Sequence, residues 1–233
     1  MQIPTPTYTY TDPFDQTIEF IIPAPHTNIC ISISGGADSA ILLYMLINYC
    51  EEHRPDAEIH VITASNPLKG WKNAKWSTNV IDTILHLTKT NLIKSHHTVY
   101  SKQNPRQELT STEKMIQIKH GITFTIDGTT QNPAVEISDT FGPPTLKKRD
   151  PGHGRDIWWT SDTGVKYFIP FMHVDKRMVA HLYKHFDMLD VLFPLTRSCE
   201  WHNSNTFDSS NPGDGHCGQC WWCKEREWAF GRL

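Results

Sequence analysis

The chain has 233 residues, 38% hydrophobic and 20% charged, with a formal net charge of −3; that is enough for one α/β domain with a sizeable core, or for one domain plus a small appendage. A nearly neutral chain is a poor match for a broad nucleic-acid-binding surface. No stretch approaches the roughly 20 apolar residues of a membrane span, and the Pro/Thr-rich start from Met1 to Tyr10 has neither the basic nor the apolar part of a secretory signal, so the expectation is a cytoplasmic protein.

In chain order, residues 1 to 27 read as an irregular lead-in broken by Pro4, Pro6, Pro13, Pro23 and Pro25, with an edge strand expected at Ile18 to Ile22. Asn28 to Ile33 is a β-branched run that ends at Ser34-Gly35-Gly36, which predicts a buried strand meeting a tight turn. Ala37 to Cys50 has the apolar density of a helix on a sheet. Glu58 to Thr63 predicts a second strand. Between Trp71 and Ile93, the residues Trp76, Val80, Ile84 and Leu87 fall on one helical face. Val99 marks a weak third strand, Glu108 to His120 a helix stopped by Gly121, and Ile122 to Asp127 a fourth strand. Gly128 to Gly164 breaks the pattern with a long polar, Gly- and Pro-rich stretch carrying Lys147, Lys148 and Arg149. Lys166 to Ile169 predicts a fifth strand, and Asp175 can cap a helix running to about Met188. Alternating strands and helices predict a doubly wound, mostly parallel α/β sheet, with ligands bound beyond the carboxyl ends of its strands.

The strongest local signal is Ser34-Gly35-Gly36-Ala37-Asp38-Ser39, placed between a strand and a helix. Glycines let the backbone approach an anion with no Cβ in the way. Unpaired N–H groups and the helix dipole favour a phosphate at the helix start. The Ser34 and Ser39 hydroxyls can add donors, and Asp38 can hold a magnesium ion or orient the loop. A plain Gly-Gly turn with Asp and Ser as caps is the competing reading.

Cysteine usage divides in two. Cys30 and Cys50 lie in apolar surroundings and read as buried thiols. Cys199, Cys217, Cys220 and Cys223 supply four sulfurs in a CxxCxxC cluster with one partner upstream, which suits a closed, structural zinc site. An iron–sulfur cluster, replacement of one thiolate by His202 or His216, and four free thiols remain as alternatives. The remaining histidines, such as His96-His97, His153 and His185, show no ligand spacing. Trp158-Trp159 and Trp221-Trp222 read as packing residues, with stacking on a purine-like base as the alternative.

The hexapeptide resembles the SGGxDS signature of the PP-loop ATP pyrophosphatases, whose fold is adenine nucleotide alpha hydrolase-like. Pro170 to Lys176, then Thr196-Arg197-Ser198-Cys199, then Gly213 to Arg226 follow in the order found in 7-cyano-7-deazaguanine synthases. The likeness is close at residues 31 to 43 and 168 to 230. It implies cleavage of ATP between the α and β phosphates, with magnesium bridging them, and conversion of 7-carboxy-7-deazaguanine with ammonia to the nitrile, a step of queuosine biosynthesis. It also implies ATP binding by Ser34, Gly35, Gly36, Ala37, Asp38 and Ser39, catalytic roles for Asp38 and for Lys176 against phosphate, and zinc on Cys199, Cys217, Cys220 and Cys223. For Lys176 the competing reading is a solvated lysine at a helix start. Arg226 is expected to touch the zinc lobe or a neighbouring chain.

The chain departs from that family at Thr63 to Pro67, where an aromatic-Gly-Gln segment is usual, and at Gly128 to Asn132, where a Gly-Tyr-Pro-Asp-Cys-Arg segment is usual. The expected organisation is a lead-in at 1–27, a nucleotide-binding domain at 28–194 and a zinc-binding lobe at 195–233. The expected partners are a 7-deazapurine acid and free ammonia, with a homodimer left open. Adenylation of another acceptor by a divergent PP-loop enzyme, kinship to tRNA thiolases or sulfonucleotide reductases, and a catalytically inactive interaction module are the competing functions.

Overall fold

The computed structural model describes residues 5–65, 73–100, 105–142, 156–199 and 216–233. The Lys147 to Arg149 basic patch, His153, His202, Asn66-Pro67 and Gly213 to Gly215 lie outside the described residues.

The lead-in is more regular than its prolines suggest. β1 (Tyr8–Thr11) and β2 (Thr17–Phe20) pair antiparallel, with Tyr8 opposite Phe20. Asp12 closes the turn between them by accepting from the amides of Phe14 and Gln16 at 2.8 and 2.9 Å. Ile18, Phe20 and Ile22 are buried in the main core, so the hairpin packs on the sheet domain.

The main sheet begins with β3 (Asn28–Ser32), which turns into α1 (Ala37–His53). β4 (Glu58–Ser65), α2 (Asn73–Thr88), β5 (Ile93–Tyr100), α3 (Pro105–His120) and β6 (Phe124–Ile126) follow. A short α4 (Val135–Ser138), β7 (Trp158–Thr160), β8 (Lys166–Phe168), α5 (Lys176–His185) and α6 (Trp221–Phe230) complete the described chain. The strand order is β5-β4-β3-β6-β8-β7, parallel throughout except for the antiparallel β7 at the edge.

Both faces of the sheet are covered, as a parallel sheet requires. Ile29 and Ile31 of β3 join the larger core with Ile59 and Val61 of β4, while Cys30 points the other way to Ile62, Val99, Ile116 and Ile122. Such alternation is the period-two geometry of a strand. α1 is apolar nearly all round because it sits between the sheet, α2 and α5, and Ile41, Leu42, Leu43, Leu46 and Ile47 are fully buried on it. Gly121 stops α3 at a φ of +59°, a conformation that favours glycine. Cys30 and Cys50 are buried, as expected.

Several boundaries differ from the sequence reading. The helix expected between Trp71 and Ile93 ends at Thr88, and Ile93 opens β5 instead; Leu87 is largely exposed although Trp76, Val80 and Ile84 are buried. The helix after Asp175 ends at His185 rather than near Met188. Within the irregular stretch from Gly128 to Gly164, β7 supplies the antiparallel edge, held by Trp158 stacked on Phe168 and Trp159 stacked on Tyr167, with ring centres 4.1 and 4.0 Å apart. Those two tryptophans are used in packing.

One polar cluster sits inside the sheet-helix layer. His60 of β4 packs against His120 at the end of α3, the rings tilted by 32° with centres 4.1 Å apart, and His97 of β5 lies 5.7 Å from His120. The buried Nε2 atoms of all three accept no hydrogen bond. Burial pushes His60 and His97 below the ordinary imidazole value of 6.5, and the neighbouring His120 adds in the same direction; Glu58 opposes it at His60, and Lys119 adds to it at His97. The folded state therefore binds fewer protons here than the unfolded state, so stability is complete above about pH 6.5 and falls as pH drops below it. Thermal melts between about pH 7.5 and 5.5 should show that loss, and His60→Asn, which keeps a partner for the Ser95 hydroxyl 2.8 Å from His60 Nδ1, should flatten it.

Candidate phosphate loop and metal centre

The strand order reverses between β3 and β6, so the loops leaving their carboxyl ends diverge and open a crevice. The loop after β3 is Ser34-Gly35-Gly36, which leads into α1. Gly35 has a φ of +79°, and a Cβ there would lie 2.4 Å from the Trp76 Cβ and 2.9 Å from the Ser77 amide nitrogen. Only glycine fits so close to the start of α2. On the other side of the crevice, a Cβ on Gly128 would lie 3.2 Å from the backbone of Asp38 and Ser39. The loop after β6 thus approaches the backbone of the first turn of α1 closely.

The serines brace this loop. Ser39 Oγ accepts from the Ser34 amide at 3.2 Å and donates to the Gly36 carbonyl at 3.3 Å, and Ser34 Oγ accepts from the Gly36 amide at 3.2 Å. The Ser39 hydroxyl, expected as a phosphate donor, is buried and shapes the turn; Ser34 is exposed. The N-cap of α1 is Gly36, and no side chain caps the helix. The first-turn amides of Ala37, Asp38 and Ser39 precede the first intrahelical donor, the Ala40 amide, which donates to the Gly36 carbonyl at 3.1 Å. A helix start with its dipole, no capping side chain and no Cβ at Gly35 or Gly36 is suited to a phosphate.

Asp38 and Lys176 meet at this loop from 138 residues apart, with Lys176 Nζ donating to Asp38 Oδ2 at 2.9 Å. Lys176 is the first residue of α5, placed by its neighbour Asp175, whose side chain caps the helix through the Arg177 amide at 2.9 Å. It is buried, with only 3% of its surface exposed, which rules out the solvated reading. Its ammonium is also 3.5 Å from Glu225 Oε2, a fully buried carboxylate on α6. Asp38 Oδ1 is buried and accepts no hydrogen bond. It is thus an orphaned oxygen of the kind a cation satisfies.

The cysteines also converge. The Sγ atoms of Cys199, Cys217, Cys220 and Cys223 all lie within 4.8 Å of one another, with Cys217 to Cys223 at 3.8 Å and Cys220 to Cys199 at 3.9 Å. A metal–sulfur bond of about 2.3 Å puts the corners of a tetrahedron about 3.8 Å apart. The set can therefore hold one metal ion. His216 stands beside it, its Nδ1 3.8 Å from Cys223 Sγ. Burial pushes that imidazole down to about 4, so it stays neutral.

Three features of the site carry no obvious sequence signal. Gly128 was read only as part of a divergent loop. Glu225 was passed over between two better motifs. The third is the set of partners of Arg226: it is buried and donates to Thr196 Oγ1 at 2.8 Å and to the Phe193 carbonyl at 2.9 Å, over the Phe193 ring. Next to Thr196, the Arg197 amide donates to the Gly35 carbonyl at 2.8 Å. The Cys-x-x-Cys-x-x-Arg spacing was the one clue to Arg226. From the Gly35 geometry, Gly35→Ala should force α2 away from the loop, lower the melting temperature by several degrees for a cost of about 2–3 kcal/mol, and abolish any stabilisation by ATP in thermal-shift measurements.

No family model matches the chain, and no curated protein matches it in sequence. Among solved structures it is similar to the U34-tRNA thiolase NcsA from Methanococcus maripaludis, solved with its 4Fe–4S cluster, at a TM-score of 0.41 and 17% identity over 69% of this chain and 56% of that one. The chain thus spans little more than half the length of that thiolase. It is also similar to NAD+ synthetase from Burkholderia pseudomallei, at a TM-score of 0.45 and 15% identity over 90% of this chain and 76% of that one. NMN synthetase from Francisella tularensis is similar at a TM-score of 0.40 and 13% identity over 90% of this chain and 79% of that one.

Proposed function

We propose that this protein is an ATP pyrophosphatase-type enzyme that transfers AMP to an acceptor carboxylate or amide. The observation that carries the reading is the side-chain-free start of α1 at Gly35-Gly36, beside the pair of buried Lys176 and half-buried Asp38 at the point where the strand order reverses. The Ala37, Asp38 and Ser39 amides would receive the outer phosphates of ATP, and Lys176 would neutralise charge that builds on the leaving pyrophosphate. Asp38, through its free Oδ1, would hold magnesium, which supplies charge neutralisation at the phosphates when bound. The acceptor oxygen forms a bond to the α-phosphorus while the bond to the β-phosphate oxygen breaks, so the products are an acyl adenylate and pyrophosphate.

The acceptor we propose is 7-carboxy-7-deazaguanine, on the order of motifs from Pro170 to Arg226. Free ammonia then displaces AMP to give the amide, and a second ATP activates the amide oxygen, whose loss with AMP leaves the nitrile. Such a reaction needs only small molecules and suits the cytoplasm. The four cysteines would hold zinc in a closed, structural site, and the 3.8 and 3.9 Å sulfur spacings favour a single ion. In a cubane cluster each thiolate holds a different iron, which spreads the sulfurs farther. The spacing therefore favours the ligase over a thiolase that depends on such a cluster.

Incubation with ATP, magnesium, ammonium and 7-carboxy-7-deazaguanine should yield AMP, pyrophosphate and the nitrile, read by mass spectrometry. AMP release only with a different acid would move the acceptor while keeping the chemistry; ADP would refute the chemistry itself. Elemental analysis should find one zinc per chain, and cobalt substitution should give intense sulfur-to-metal charge-transfer absorption. Iron accompanied by acid-labile sulfide would point to the thiolase reading instead.

A further inference from the structure

We propose that Glu225 is a positioning residue that fixes the Lys176 ammonium at the phosphate loop, so that the state of the four-cysteine centre is felt at the nucleotide site. This rests on reading Ser34 to Ser39 as a phosphate loop. Glu225 lies two residues after the metal ligand candidate Cys223 on α6 and is fully buried, with its Oε2 3.5 Å from Lys176 Nζ. The same ammonium is 2.9 Å from Asp38 Oδ2. One cation thus stands between an acid of the loop and an acid of the cysteine helix.

The arrangement defines a division of labour. When magnesium or phosphate engages Asp38, the contact from the loop weakens and Glu225 keeps the ammonium in place. A buried ion pair adds little net stability compared with apolar packing of the same volume, so the main consequence of this acid is orientation. A second tie runs in parallel. Arg226, next in the helix, holds Thr196 and Phe193, and the adjoining Arg197 amide holds the Gly35 carbonyl at 2.8 Å. Loosening α6 therefore releases both the lysine and the carbonyl side of the glycine turn.

The test uses the full chain, unaltered and as Glu225→Gln, with metal content measured by elemental analysis. Lysine accessibility is read by acetic anhydride labelling and mass spectrometry, with exposed Lys94 on β5 as the internal control. Glu225→Gln should keep its metal and label at Lys176 about tenfold faster, Lys94 staying constant, and in ATP–pyrophosphate exchange the KM for ATP should rise about tenfold with a smaller change in kcat. Glu225→Asp should recover part of both effects. Chelation of the unaltered protein should raise Lys176 labelling in the same way. Unchanged labelling and KM in Glu225→Gln would overturn the proposal. So would loss of metal in both Glu225→Gln and Glu225→Leu, which would make the acid a structural part of the lobe. Faster Lys176 labelling in a protein that does not use ATP would sustain the Glu225–Lys176 link and sink the phosphate-loop reading alone.

Discussion

The close approach of α2 to Gly35 is the constraint on which the site depends. Two segments distant in sequence meet there with no room for a side chain, and Gly128 repeats the arrangement on the far side of α1. The glycine turn is confined by the start of α2, and the first turn of α1 by the loop after β6. Ser34 and Ser39 complete the restraint from within. A helix start fixed in this way presents its amides without reorganising, which is the condition under which fixed dipoles act most strongly on an anion.

The charges around the turn follow from the same topology. Asp38 comes from the first turn of α1, Lys176 from the start of α5 and Glu225 from α6, and the three are separated by most of the chain. Burial makes Lys176 and Glu225 dependent on charged partners, because an isolated buried charge is costly. The helix that carries Cys223 is consequently in contact with the glycine turn's charged neighbour, Lys176, through Glu225. Arg226 has its guanidinium pushed down to about 10 by burial and still carries its charge at neutral pH, spending it on the Thr196 hydroxyl and the Phe193 carbonyl.

The parts of this fold that local physics determines were legible in the sequence. β3, its glycine turn and α1 form one contiguous signal of β-branched run, Gly-Gly and apolar helix. Asp175 announced α5 because an N-cap needs only its own side chain and the next turn, and the cysteine spacing announced that the four sulfurs converge. What could not be read locally was set by pairing across the chain. β1 and β7 are strands only because β2 and β8 lie beside them. Ile93 continued the apolar pattern of α2, yet its pairing with Ile59 makes it a strand residue. Glu225 stands two residues after Cys223 with no local feature that marks it, and its meeting with Lys176 is set by the packing of α6 against α5. No periodicity in residues 221–230 carries that information.

The central claim is that the amides at the start of α1 grip phosphate. Hydrogen exchange followed by mass spectrometry, with and without magnesium pyrophosphate, addresses it without reference to any acceptor. The account requires slowed exchange in the peptide spanning residues 34–40 when pyrophosphate is added, with the edge strands β5 and β7 unaffected. Exchange there that is indifferent to pyrophosphate, with protection at some other segment, would contradict it.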